Sequence, residues 1–87
     1  MKSDTMYPCL ARYFKNMSEL AKAGCMSRPK AWKILSGNQE FTEEEKKAIA
    51  SNIVLMAITD KKFKKEDVDL AIQAWSGHFD EIYRKKA

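Results

Sequence analysis

The sequence predicts an all-α domain of five helices. Three observations carry that prediction. Aromatic and aliphatic residues recur at three- and four-residue spacing along the chain, as on the buried face of a helix. Helix-start signals stand ahead of these runs: Pro8, Asn16 with Glu19, Pro29, and Thr42 with Glu45. Three glycines and two prolines in 87 residues leave little room for long loops.

The length makes one domain, 1–87, with a single modest core. No linker, internal repeat or low-complexity segment divides it. The start is polar, and a first helix is expected from Pro8 to Lys15, because proline suits a first helical turn. Leu10, Tyr13, Phe14 and Met17 make its core face, with Tyr7 beside them. A second helix spans Met17 to Ala23. Asn16 is its N-cap, with Glu19 three residues on as in a capping box, and Ser18 is a second candidate cap. Leu20 and Ala21 point inward. Gly24 and Cys25 then break the helix, and one of the two is expected at positive φ.

A third helix starts at Pro29, with Ser27 or Arg28 as cap, and ends at Ser36 before the C-cap signal Gly37-Asn38. Ala31, Ile34 and Leu35 face inward and Met26 plugs the turn. Thr42–Glu45 is a capping box whose three carboxylates favour the positive end of the next helix, which carries Ala48, Ile49, Ile53, Met56 and Ala57 on one face. Periodicity leaves 53–59 open between helix and strand. A polar connection anchored by Phe63 leads to a fifth helix over 65–84. Its expected seam is Val68, Ile72, Trp75, Phe79 and Ile82, interrupted mildly by Gly77; Arg84, Lys85 and Lys86 complement its C-terminus.

The chain is organised around Asn16–Gly37, two short helices joined by a tight turn. The second carries Arg28, Lys30 and Lys33, with no acidic residue between Lys22 and Ser36. A basic, exposed second helix held by a first is the arrangement that lays side chains in a DNA major groove. Charge agrees: residues 1–39 hold seven Lys/Arg against two Asp/Glu, while residues 40–60 hold two against five. The basic excess thus falls on the half that contains the helix pair and suits a polyanion.

Other classes find less support. Cys9 and Cys25 show neither CxxC nor Cys/His ligand spacing, and His78 is far from both. Both thiols read as reduced and largely buried, as in a cytoplasmic protein. No apolar run has the length of a membrane span, and no signal-peptide pattern opens the chain. No nucleophile–base pair, metal cluster or phosphate loop can be assembled, so no enzyme, cofactor or metal is expected.

LAKAGCMS, followed by an eight-residue helix and ILSGN, resembles the lambda-repressor-like, Cro-type helix-turn-helix regulators of phages and bacteria. The matching positions are Leu20, Ala21, Cys25 in the turn, Met26, Ser27, Ala31, Ile34 and Gly37. FTEEEKKAIA is similar to the family's next helix, and MYPCL to the opening of its small phage-type members. The resemblance covers residues 6–54; residues 59–87 form a C-terminal helical extension outside it. The family's turn glycine is replaced by Cys25, with Gly24 one residue early, so either Cys25 adopts positive φ or the turn slips by one residue.

The resemblance implies a double-stranded DNA-binding transcriptional regulator, located in the bacterial cytoplasm with the nucleoid, whose third helix enters the major groove. Ser27, Arg28, Pro29, Trp32, Lys33 and Ser36 map onto the DNA-facing positions. Arg28 would bond guanine O6/N7, Lys33 a base or a phosphate, and Asn16 and Ser18 phosphate. Lys15, Lys22 and Lys30 would add non-specific attraction. Trp32 has a second reading, closing the edge of the core. A homodimer through the C-terminal helix (Trp75, Phe79, Ile82) would supply a second half-site; the same helix can instead fold back on its own domain. The competing function is an adaptor that keeps the fold without specific DNA binding and works through Trp32 or the Trp75/Phe79 seam.

Overall fold

A computed structural model describes residues 6–84, which are all-α, with no strand among them. The polar start at 1–5 and the Lys85-Lys86 end lie outside the described residues. A 3-10 helix, Pro8–Arg12, leads into α1 (Met17–Ala23), α2 (Arg28–Leu35), α3 (Glu43–Thr59) and α4 (Lys65–Gln73). A π-type turn, Ala74–His78, then joins α4 to a short α5 (Phe79–Tyr83).

The first element is shorter and tighter than the helix expected over 8–15. Leu10 N–H donates to Tyr7 and Tyr13 N–H to Leu10, the i→i+3 bonds of a 3-10 helix. Asn16 is extended at φ −150°, as an N-cap must be, and that ends the first element before a regular helix can build. The expected core face survives in this tighter form, with Leu10 and Phe14 buried, Tyr7 buried beside them, and Tyr13 and Met17 half-buried.

α3 is the scaffold. Thr42 and Glu45 form the reciprocal capping box, and the helix runs unbroken to Thr59, which settles 53–59 as helical. Its buried Ile49, Ala50 and Ile53 meet Leu10, Leu20, Ile34 and Phe79, all at 1% exposure or less, at the centre of the core. α4 and the π-type turn pack on α3, while α1 and α2 pack on each other and α1 reaches α3. Tyr7, Phe41, Phe79 and Tyr83 stack edge-on or tilted, with ring centroids 5.0–5.7 Å apart along the cluster.

The C-terminal seam is corrected. α4 and the π-type turn after it bury Asp67, Ala71 and Ala74 rather than Val68, Ile72 and Trp75; Ile72 and Trp75 are half exposed. The buried positions then resume at Phe79 and Tyr83, one residue later than a continuous helical phase from 67, 71 and 74 would place them. A π-type turn inserts that one residue. Gly77, at φ 120° and ψ 4°, supplies the backbone break. Phe79 therefore belongs to the core, where it cannot contribute to a surface contact.

Two tyrosine–carboxylate bonds tie the chain's beginning to its end. Tyr7 O–H donates to Asp80 at 2.7 Å, and Tyr13 O–H donates to Asp67 at 2.7 Å. Lys46 adds a 2.9 Å ion pair to Asp80, and Arg12 a 3.2 Å pair to Asp67.

Candidate nucleic-acid interface

The α1–turn–α2 unit is built by local rules. Asn16 Oδ1 accepts Glu19 N–H at 3.0 Å, and the Glu19 carboxylate reaches back to Lys15 N–H at 2.7 Å, one residue earlier than an ideal capping box. α1 closes with the paired bonds of a Schellman motif: Met26 N–H to Ala21 C=O at 2.9 Å and Cys25 N–H to Lys22 C=O at 3.2 Å. The motif demands a left-handed residue, and Cys25 supplies it at φ 57°. Gly24 stays at φ −87°. The turn therefore does not slip; Cys25 holds the left-handed position itself. Gly24 leaves room for another group, since the terminal methyl of Met26 sits where a β-carbon would stand. Both cysteines are exposed rather than buried, because the left-handed turn and the outer side of the 3-10 helix each present their side chain to solvent.

α2 begins one residue before Pro29. Ser27 is its cap, accepting Lys30 N–H at 3.4 Å. It ends in a second Schellman motif, with Asn38 N–H on Lys33 C=O, Gly37 N–H on Ile34 C=O, and Gly37 at φ 85°. Ala31, Ile34 and Leu35 are buried. Ser27, Arg28, Pro29, Trp32, Lys33 and Ser36 are all exposed. At helical spacing the five that lie from Arg28 to Ser36 occupy an arc of about 140°, opposite the buried stripe. Arg28 and Lys33 have no ion-pair partner among the described residues. Trp32 is 55% exposed, so it does not close the core edge. Asn16 and Ser18 are exposed at the start of α1, although Asn16 spends its oxygen on the cap.

Lys30 stands apart from this set. Its ammonium lies 2.7 Å from Glu45, within the first turn of α3. Burial alone would raise the Glu45 carboxyl, but the Lys30 ammonium and the Thr42 amide and hydroxyl outweigh it and hold it below the usual range. The lysine's charge is therefore spent inside the molecule, locking α2 onto α3.

A second surface is legible in the sequence only in part, through Trp75. Val54, Leu55, Ile72, Trp75 and Ser51 line an apolar groove of about 390 Å³ between α3 and α4. Lys47 lies 5.4 Å above the Trp75 ring. The α3 side of it is signalled only by the apolar run Ile53–Ala57, which is longer than one buried stripe requires. Among the described residues no group of three His, Cys, Asp or Glu side chains converges so as to hold a metal, and no helix is long and apolar enough to cross a membrane. Comparisons with protein-family models, with curated proteins and with solved structures found no match.

Proposed function

We propose that the chain is a sequence-specific double-stranded DNA-binding transcriptional regulator of phage-related type. In this reading it has the five-helix lambda-repressor-like fold, with α1 and α2 as the helix-turn-helix, and works with the nucleoid in the bacterial cytoplasm. The observation that carries the reading is the exposed arc of α2: two basic side chains without acidic partners among the described residues, flanked by small polar residues and backed by a buried stripe. The positive φ of Cys25 supports it as well, because it keeps the register in which Arg28 and Lys33 face outward.

In that mode α2 lies in the major groove with its N-terminal end toward the bases. Arg28 offers a planar fork to guanine O6/N7, Lys33 a base or phosphate contact, and Ser27, Ser36 and Ser18 hydrogen bonds to the backbone. Pro29 and Trp32 supply apolar contact, for instance to a thymine methyl. Lys30 acts indirectly, by fixing the angle of α2 on α3. There is no chemical step; occupancy of an operator blocks or recruits polymerase.

Selection of bound sequences from random duplex DNA tests the reading. The expected result is an enriched, palindromic consensus whose recognition weakens on Arg28→Ala by about 1–3 kcal/mol. Absence of enrichment would overturn it. Palindromy would follow from a dimer, which remains part of the proposal, although of Trp75, Phe79 and Ile82 only Trp75 is freely exposed.

The second reading, an adaptor without specific DNA binding, is favoured by the groove at Leu55, Ile72 and Trp75. Exposed apolar surface gathered in one place commonly marks a protein contact. A chain inactive toward duplex DNA that binds a protein partner, and loses it on Trp75→Ser, would establish this alternative.

A further inference from the structure

The loop between α3 and α4, Asp60–Lys64, with the first residue of α4, concentrates charge in an unusual way. Lys61, Lys62, Lys64 and Lys65 stand in five consecutive positions. Lys61, Lys64 and Lys65 have no ion-pair partner among the described residues, and Lys62 has a loose 3.8 Å contact with Asp60. All four are exposed. Asp67, the buried acid on the following helix, is held by Tyr13 and Arg12 at 2.7 and 3.2 Å and feels the Lys64 charge only as a weaker influence.

The loop is also held in place. The Phe63 ring lies 5.2 Å from the Tyr13 ring, Lys62 Nζ sits 5.1 Å above Phe63, and Lys64 N–H is capped by Asp67 at 2.9 Å. Tyr13 in turn precedes the Asn16 cap of α1 by three residues, a backbone reach of at most about 11 Å. Tyr13 lines one groove with Glu19 and Lys22 of α1, so the loop that packs on Tyr13 stands beside α1.

We infer that Lys61, Lys64 and Lys65 form a second contact with the phosphate backbone of the bound duplex, beyond the groove read by α2. This rests on the DNA-binding reading above and extends its footprint. Phe63 and Tyr13 position the loop, and the lysine heads supply sequence-independent attraction to consecutive phosphates. Such a contact adds affinity without adding selectivity.

The test is the salt dependence of duplex binding by the full chain. Lys61→Gln/Lys64→Gln/Lys65→Gln should flatten the slope of log affinity against log salt by about two to three, at roughly 0.9 per phosphate released, and leave the preferred sequence unchanged. Lys47→Glu is the control. It lies about 140–160° round α3 from Asn52 and Glu45, the side chains that bond α1 and α2, so it should leave the slope as it is. An unchanged slope in the triple variant, an equal change in the control, or an altered sequence preference would each overturn the inference. If Arg28→Ala weakens recognition while the triple variant leaves the slope untouched, this inference fails and the function stands. If the unaltered chain shows no duplex affinity, both fail.

Discussion

The Lys30 ammonium and the Glu45 carboxylate meet at 2.7 Å across the junction of α2 and α3. Glu45 is also the acidic half of the α3 capping box, accepting Thr42 N–H at 2.8 Å. One carboxylate thus starts one helix and anchors another. Glu45→Gln retains the capping geometry but drops the charge, and should cost about 1–2 kcal/mol. Glu45→Ala loses the cap as well, and should cost about 2–3 kcal/mol. Urea denaturation of the two variants separates the contributions. Lys30→Met should lower stability while leaving the preferred duplex sequence unaltered, since Lys30 reaches no base in the proposed mode.

Cys25 holds a left-handed backbone without being glycine. Its exposed side chain buries nothing that a substitution would forfeit. Cys25→Gly should therefore stabilise the chain by about 0.5–1 kcal/mol, the relief of positive φ exceeding glycine's extra chain entropy. Cys25→Val, β-branched, should do the reverse. Thermal unfolding of both variants gives the sign; a destabilised glycine variant would mean that the turn is not held as described.

Acid should weaken the fold through its paired carboxylates. The Tyr13 hydroxyl, then the Lys64 amide, hold Asp67 below the usual range against the effect of burial. Burial would raise Asp80, but the Tyr7 hydroxyl and the Lys46 ammonium outweigh it and hold it low. A carboxylate with a depressed folded pKa contributes stability above its unfolded value, near 4, and loses it as pH falls through the folded value. The melting temperature should stay level from about pH 7 to 5 and drop below about pH 4. Asp67→Asn and Asp80→Asn should each make that drop shallower, measured by circular dichroism across pH.

Alkali should act through the buried phenols. Burial, and then the Asp67 charge, push Tyr83 up to about 12. Its neutral form contributes stability that is complete below the unfolded value, near 10, and lost as pH rises through the folded one. Tyr83→Phe should remove part of this alkaline loss. It should cost little at neutral pH, because the hydroxyl is buried without a hydrogen-bond partner among the described residues. Tyrosine absorbance during alkaline titration reports it directly.

Phe79 and Trp75 lie four residues apart and have opposite fates, at 1% and 48% exposure. Phe79→Ala should cost about 3–5 kcal/mol, whereas Trp75→Ala should change stability by less than about 1 kcal/mol. Denaturant titration of the two variants checks the shifted phase of the C-terminal segment.

The elements whose logic is local were legible in advance. Thr42 with Glu45, Asn16 with Glu19, and Gly37 after Leu35 act within three or four residues, so their signals survive in a linear reading. Leu20, Ala21, Ala31, Ile34 and Leu35 followed from one helical stripe each. The C-terminal seam failed because it assumed a single unbroken helical phase. The residues that decide the phase, Asp67 and Gly77, act through Tyr13, 54 residues away, and through a backbone break. The candidate site divides in the same way: Arg28 and Lys33 are exposed as periodicity predicts, while the withdrawal of Lys30 depends on Glu45 from another helix.

By itself, then, the chain's order of residues determined the helical class, the caps and the inward stripe of each short helix, because those depend on hydrogen bonds and burial within a few residues. Only the tertiary structure decided which lysine of α2 is spent on an internal pair and which face of α4 meets the core. Those outcomes turn on contacts between groups distant in sequence, and a one-residue phase shift or a 2.7 Å ion pair leaves no periodic mark along the chain.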